Sequence, residues 1–351
     1  MALKFAKISS EVDDEYSDSS SYKIHSFPAD FTLKGLHDKF LNGEILTPSF
    51  QRQYVWTIQQ ASKLIESFLL GLPVPGVFFY REEKSQKLLV VDGQQRLKTV
   101  FGFFDQKFPG TERKFFLRDV RESWEGRTYD KLGESDQIRL KDSVLRAMII
   151  EQIDPDDHSS MFHIFERLNT GGTVLRPQEI RNCIYQGSLN DLLRELNEDR
   201  TWRRIVGSVN LDKRMRDVEL ILRFLALLHD YQNYKKPMKD FISEFIARNR
   251  NAESDKVAQF RKIFTTTNEA INKHLGQKPF HIKAGLNAAV FDSVMIAFAR
   301  NENRHSVIRD MPKRYKQLLE DDAYQNYVST ATTDVDTVKG RIALASRLLF
   351  R

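Results

Sequence analysis

The stretch Leu88–Arg96 reads L-L-V-V-D-G-Q-Q-R, an apolar run that breaks into an acid, a glycine, two amides and an arginine. Leu97, Val100, Phe101 and Phe104 then recur at helical spacing. A buried strand turning into a helix at this point gathers unpaired helix N–H groups, a glycine that permits close approach and a fixed cation. That combination suits a phosphate. A plainer reading of the same letters is a helix cap. Asp92 and Gln95 stand at capping-box spacing, and Gly93 would then only relieve crowding. A cap has no use for Gln94 or Arg96.

Two further clusters have the same mixed character. Thr47–Trp56 reads T-P-S-F-Q-R-Q-Y-V-W, with Pro48 favouring an extended chain before it and aromatics bracketing Gln51 and Arg52. Ile164–Asn182 reads I-F-E-R-L-N-T-G-G-T-V-L-R-P-Q-E-I-R-N. Phe162, Phe165 and Leu168 predict a helix ending at Asn169, Gly171 and Gly172 a turn, and Pro177 the first residue of the next helix. Gln51, Arg52, Arg167 and Asn169 are polar groups beside apolar core segments, so they need partners or a ligand. The expectation is that Phe50–Arg52 and Arg167–Gly172 meet Asp92–Arg96 in space.

With Leu64–Pro75 between the first two, these clusters resemble the N-terminal domain family of GmrSD-type restriction endonucleases, over about Phe31 to Gly187. The resemblance implies a fold similar to ParB and sulfiredoxin, and a D-G-Q-Q-R segment that binds and hydrolyses nucleoside triphosphates in phage-defence enzymes. Carried onto this chain, it points at Asp92, Gly93, Gln94, Gln95 and Arg96; Gln51, Arg52, Arg167, Asn169, Thr170, Gly171 and Gly172 of the other two clusters are the further expected nucleotide contacts. Full-length nucleases of this kind usually end in an HNH-type domain. No comparable His-Asn-His arrangement is found here, and no metal-ligand spacing links His274, His281 and His305.

Charge sharpens the nucleotide reading. Asp92 sits where a phosphate would dock, and two anions at one helix end repel. A divalent cation, Mg2+ or Mn2+, bridging carboxylate and phosphate resolves the conflict, which makes Asp92 the expected metal ligand. Arg96 would neutralise charge on a transferred phosphoryl group while Gln94 or Gln95 orients a water. No G-K-[ST] occurs, so the site is not a P-loop. The alternatives are a non-catalytic nucleic-acid or protein-binding module, and a nuclease using the ParB-like site itself.

The elements that must position these residues follow from pattern. Ser9–Ser21 holds five acids and no bases, and residues 1–22 are expected to form a disordered tail. The alternation of strands and helices indicates an α/β or α+β domain over 23–176, for which the resemblance implies the ParB-like α+β fold, and a helical domain is expected over 177–351. Helices are expected at Phe31–Asn42 and Ile58–Leu70, a short strand at Glu44–Thr47, and strands at Gly76–Tyr80, Lys87–Val91 and Val144–Ile153. The two central strands are apolar enough for burial on both faces. Beyond Pro177, Asp217–His229, Phe241–Ile246, Val290–Phe298 and Ile342–Leu349 are core-facing helix patterns.

Composition bounds the remainder. At 351 residues, 41% hydrophobic and 29% charged, the chain can build two cores. Its single cysteine, Cys183, excludes an intramolecular disulfide and fits a reducing cytosol. Phe68–Tyr80 is too short and too proline-broken to span a bilayer, and Met1–Ser10 lacks a signal-peptide apolar stretch, so a cytoplasmic protein without membrane contact is expected. Residues 1–175 carry 23 basic against 26 acidic side chains, a net of −3. Residues 176–351 carry 31 against 22, a net of +9, which recovers the total of +6. The basic half suggests a nucleic-acid partner at Arg200, Arg203, Arg204, Lys213, Arg214 and Arg216, beside Trp202, against the alternative of solvated helix faces. Partner proteins of a defence operon are a further expectation.

Overall fold

The computed structural model describes residues 24–47, 54–83, 85–153, 160–168, 175–282, 285–304 and 310–351. They fall into two compact units, Ser21–Leu175 and Arg176–Arg351.

The first unit is α+β, in the order β1 (Ile24–Thr32), α1 (Leu33–Leu41), β2 (Ile45–Leu46), α2 (Ile58–Leu69), β3 (Val77–Arg81), β4 (Leu88–Asp92), α3 (Gln94–Phe104), α4 (Glu134–Asp142), β5 (Val144–Gln152) and α5 (Ser160–Leu168). The strands form one mixed sheet, β1-β5-β3-β4-β2. β5 pairs antiparallel with β1 and parallel with β3, while β4 pairs antiparallel with β3 and parallel with β2. Leu88, Leu89, Val90 and Val91 are all buried, so β4 is covered on both faces; β3 buries only Val77 and Phe79. The hydrophobic core gathers Val77, Phe79 and Val90 of these strands with Leu97, Val100 and Phe101 of α3 and Ile65, Phe68 and Leu69 of α2.

Local chemistry explains several boundaries. Thr57 opens α2 with a reciprocal capping box. Its hydroxyl accepts from the Gln60 N–H at 3.3 Å, and the Gln60 amide oxygen accepts from the Thr57 N–H at 2.9 Å. The helix expected from Phe31 instead begins at Leu33, because residues 24–32 form a strand absent from the expected set. Phe27, Ala29 and Phe31 alternate onto the core, as a half-buried strand requires. Pro28 is tolerated because β1 is an edge strand, where a missing N–H costs no ladder bond. The acidic segment Ser9–Ser21 lies outside the described residues.

The second unit is mostly helical. It runs α6 (Pro177–Ile184), α7 (Ser188–Asn197), α8 (Arg200–Val206), α9 (Arg216–Asp230), α10 (Met238–Arg248), α11 (Ser254–Leu275), β6 (His281–Ile282), β7 (Gly285–Leu286), α12 (Ala288–Arg300), α13 (Met311–Glu320), α14 (Asp322–Ser329) and α15 (Val335–Phe350). A short antiparallel β6–β7 pair is the strand structure among its described residues. Pro177 stands at the first position of α6, where its missing N–H is harmless. Cys183 is buried on α6, its thiol donating to the Glu179 carbonyl at 3.1 Å.

Three helices of this unit are joined by a buried ion triad. The Arg223 Nε on α9 donates to both oxygens of Asp292 on α12, at 3.0 and 2.8 Å, and the Arg341 Nη2 on α15 donates to the same carboxylate at 2.9 Å. Such a group adds little net stability over apolar packing, but removing its centre strands two buried charges.

Candidate functional site

The D-G-Q-Q-R turn is built by a register shift followed by a glycine. Phe79 pairs with Val90, but Phe78 pairs with Asp92, so Val91 is an extra residue in β4. A bulge of this kind re-aims the residues beside it. Gly93 then takes the left-handed conformation, φ 92° and ψ 10°, and α3 starts at Gln94 with no side-chain cap. The capping reading of Asp92 and Gln95 is therefore overturned: Asp92 belongs to the strand, and its carboxylate turns to Arg96. Gly93 is also required sterically, since a Cβ there would lie 2.4 Å from the Val77 Cγ1.

Arg96 ties the turn together. Its Nη2 donates to the Asp92 Oδ2 at 2.9 Å and to the Gly76 carbonyl at 2.9 Å, joining the end of β4 to the residue before β3. The pair is partly buried, with 19% of the Arg96 and 27% of the Asp92 side chain exposed. Two donors are left over. Gln94 Nε2 and Arg96 Nε are shielded from solvent and have no acceptor among the described residues. Buried donors without partners are rare in folded proteins and call for a specific reason.

Gln95 faces a different neighbour. Its side-chain oxygen accepts from the Val55 N–H at 3.0 Å, while Thr99 Oγ1 donates to the Gln95 carbonyl at 2.7 Å and lies 2.6 Å from the Tyr54 hydroxyl. Gln95 thus fastens the segment starting at Tyr54 to α3. Burial pushes the Tyr54 phenol up to about 12, against the opposing bond to Thr99. Lys98, one turn beyond Gln94 on α3, has its ammonium pulled below the ordinary lysine value by burial. Sequence reading missed Lys98, although its spacing of four from Gln94 puts both on one helix face.

The other expected nucleotide contacts are described only at their flanks. Gln51 and Arg52 lie outside the described residues, as do Asn169, Thr170, Gly171 and Gly172. Next to the first cluster, Tyr54 and Val55 meet α3. Next to the second, α5 buries Phe162 and Phe165 and packs against β4, with Arg167 on its exposed side. Among the described residues, no group of three or more His, Cys, Asp or Glu side chains could hold a metal ion. Asp92 thus belongs to no such group among the described residues.

The six basic residues of the second unit divide into two kinds. Arg203 is buried and bonded to Asp217 at 2.9 Å, Arg214 reaches Glu179 at 2.8 Å, and Arg216 is paired with Asp212. Arg200 and Arg204 line an open cleft, and Lys213 is exposed. Trp202 is wholly buried, its indole N–H donating to Asn197 at 3.0 Å, so it is a core residue and offers no stacking face. Burial depresses the His281 imidazole below its ordinary value, with the Lys278 and Val206 carbonyls acting the other way. Among the described residues, no helix is long and apolar enough to cross a membrane.

The chain is 33% identical to an uncharacterised protein of Methanocaldococcus jannaschii over a segment that is 22% of this chain and 17% of that relative's length. The chain thus matches only a small part of that protein. The family model described as the GmrSD restriction endonuclease, N-terminal domain, matches residues 33–186, a stretch that runs from α1 past the D-G-Q-Q-R turn.

Proposed function

We propose that the first unit binds a nucleoside triphosphate at the D-G-Q-Q-R turn and hydrolyses it with Mg2+ or Mn2+, within a restriction or phage-defence setting. The observation that carries the reading is the pair of orphan donors, Gln94 Nε2 and Arg96 Nε, beside an uncapped helix start. All three features donate hydrogen bonds, and a ligand rich in acceptor oxygens satisfies them together. Asp92 would hold the cation jointly with phosphate oxygens, a mode in which one carboxylate suffices. The metal would supply charge neutralisation on the phosphates. Arg96 stabilises the phosphoryl group being transferred, Gln94 orients the attacking water, and Lys98 adds a second cation on the same helix face. Gln95 and Thr99 hold the Tyr54–Val55 segment in place.

The test is phosphate release with and without magnesium, alongside calorimetric nucleotide binding. Arg96→Ala and Asp92→Ala are each expected to weaken nucleotide binding by about 1.5–3 kcal/mol while circular dichroism stays unchanged. Absence of binding by the wild type, with or without the metal, sinks the assignment. One observation favours a second reading: Arg96 already has two internal acceptors, Asp92 and the Gly76 carbonyl, so the motif also works as a staple in a non-catalytic module. Binding without turnover would select it, and plasmid nicking would select a nuclease. Nucleic acid and proteins of the same defence system are the proposed partners, with Arg200, Arg204 and Lys213 as the basic side chains still available to phosphates.

A further inference from the structure

The second unit holds a cleft of about 620 Å³, formed by α8, the loop after it, and Gln277 and Lys278. That size falls within the range of small-ligand sites. Two of its lining residues, Val209 and Leu211, are 88% and 45% exposed. Single exposed apolar residues need no explanation. Here the pair shares one concavity with three cations: Arg200, Arg204 and Lys278. Arg200 and Arg204 stand one turn apart on α8, on one face. None of the three makes a side-chain hydrogen bond or ion pair among the described residues. Arg203, also in the lining, is neutralised by Asp217, and Glu198 is the acid at the rim. Three uncompensated cations against one acid leave a local charge of +2.

The placement of Lys278 is built in. It adopts the left-handed conformation, φ 55°, which non-glycine residues rarely take. Its N–H donates to the Arg204 carbonyl at 3.3 Å. Its side chain lies flat over Gly207, where a Cβ would come within 2.4 Å of the Lys278 Cε and 2.7 Å of its Cγ. Backbone strain of this kind persists where surrounding structure enforces it, and it gathers at ligand sites.

We propose that this cleft binds a phosphate monoester carrying an apolar or aromatic group. Arg200, Arg204 and Lys278 hold the phosphate, and the apolar part rests on Val209 and Leu211. A phosphate monoester carries close to two negative charges at neutral pH, which matches the local surplus. Guanidinium forks suit its oxygens geometrically.

Calorimetry on the full chain with phenyl phosphate, inorganic phosphate and phenol tests the proposal. Phenyl phosphate is expected to bind tightest, because only it satisfies both halves of the cleft. Arg204→Gln and Lys278→Gln, both exposed positions, should each weaken it about tenfold. Arg96→Ala should leave it unchanged, which separates this site from the nucleotide site of the first unit. Adenosine monophosphate and a 5′-phosphorylated oligothymidylate then distinguish a free metabolite from a strand end, and Arg204-dependent binding of either supports the site. No binding of phenyl phosphate, binding indifferent to both substitutions, or equal binding of phenol would overturn it.

Discussion

Replacing Gly93 with alanine isolates what the turn demands of the backbone. At φ 92° an L-residue sits in the left-handed region, at a cost of roughly 1–2 kcal/mol. The added methyl would lie 2.4 Å from the Val77 Cγ1 and 3.0 Å from its Cβ, both within the core of the sheet. Forcing such an overlap apart costs roughly 1–3 kcal/mol. The variant should therefore lose about 2–5 kcal/mol, a large part of a typical domain's stability. Urea unfolding followed by fluorescence reads this, since Trp56 and Trp124 report on the first unit. A cycle with Val77→Ala divides the two causes. With Cγ1 gone, the glycine substitution should cost about 1–3 kcal/mol less, because most of the overlap has gone and the backbone cost remains. Equal costs in both backgrounds, or a Gly93→Ala midpoint close to wild type, would refute the account of the turn.

Other outcomes follow from single contacts. Gln95→Leu gives up the Val55 N–H to water and should lose about 0.5–1.5 kcal/mol, whereas Gln95→Glu keeps an acceptor oxygen and should retain most of the stability in the same urea assay. Asp292→Ala strands Arg223 and Arg341 in the helical core and should cost about 3–5 kcal/mol, read as a lower melting temperature of that unit. His281 has a folded pKa below its unfolded value, so the stability it contributes is present above about pH 6.5 and is lost as the pH falls below that. The wild-type urea midpoint should fall more steeply toward acid than that of His281→Gln, and identical slopes would exclude the effect.

The sequence announced what short-range pattern can carry. The helical repeat after Arg96 and the apolar face of α2 depend on neighbours three and four residues away, and both elements form close to where they are expected. The D-G-Q-Q-R position was legible for the same reason: polar letters abutting a buried strand stand out. What Arg96 bonds was not, because the Gly76 carbonyl is twenty residues distant and reaches it only through sheet pairing. β1 was hidden by Pro28, which argues against a strand until its edge position is known. The bulge at Val91 has no letter of its own. In the helical unit, the basic run looked like a charged surface because the partners of Arg203 and Arg214, Asp217 and Glu179, are supplied by other helices.

The extra residue in β4 makes the motif sensitive to counting as well as to chemistry. Deleting Val91 would leave D-G-Q-Q-R intact and would even regularise the ladder, since Phe78 would face the next residue in step. It would also shorten the path from Val90 to Gly93 by one residue and change the direction in which the acid leaves the sheet. A homologue bearing every letter of the motif but one residue fewer before it would thus point its carboxylate elsewhere. Spacing upstream of the aspartate is part of the signature.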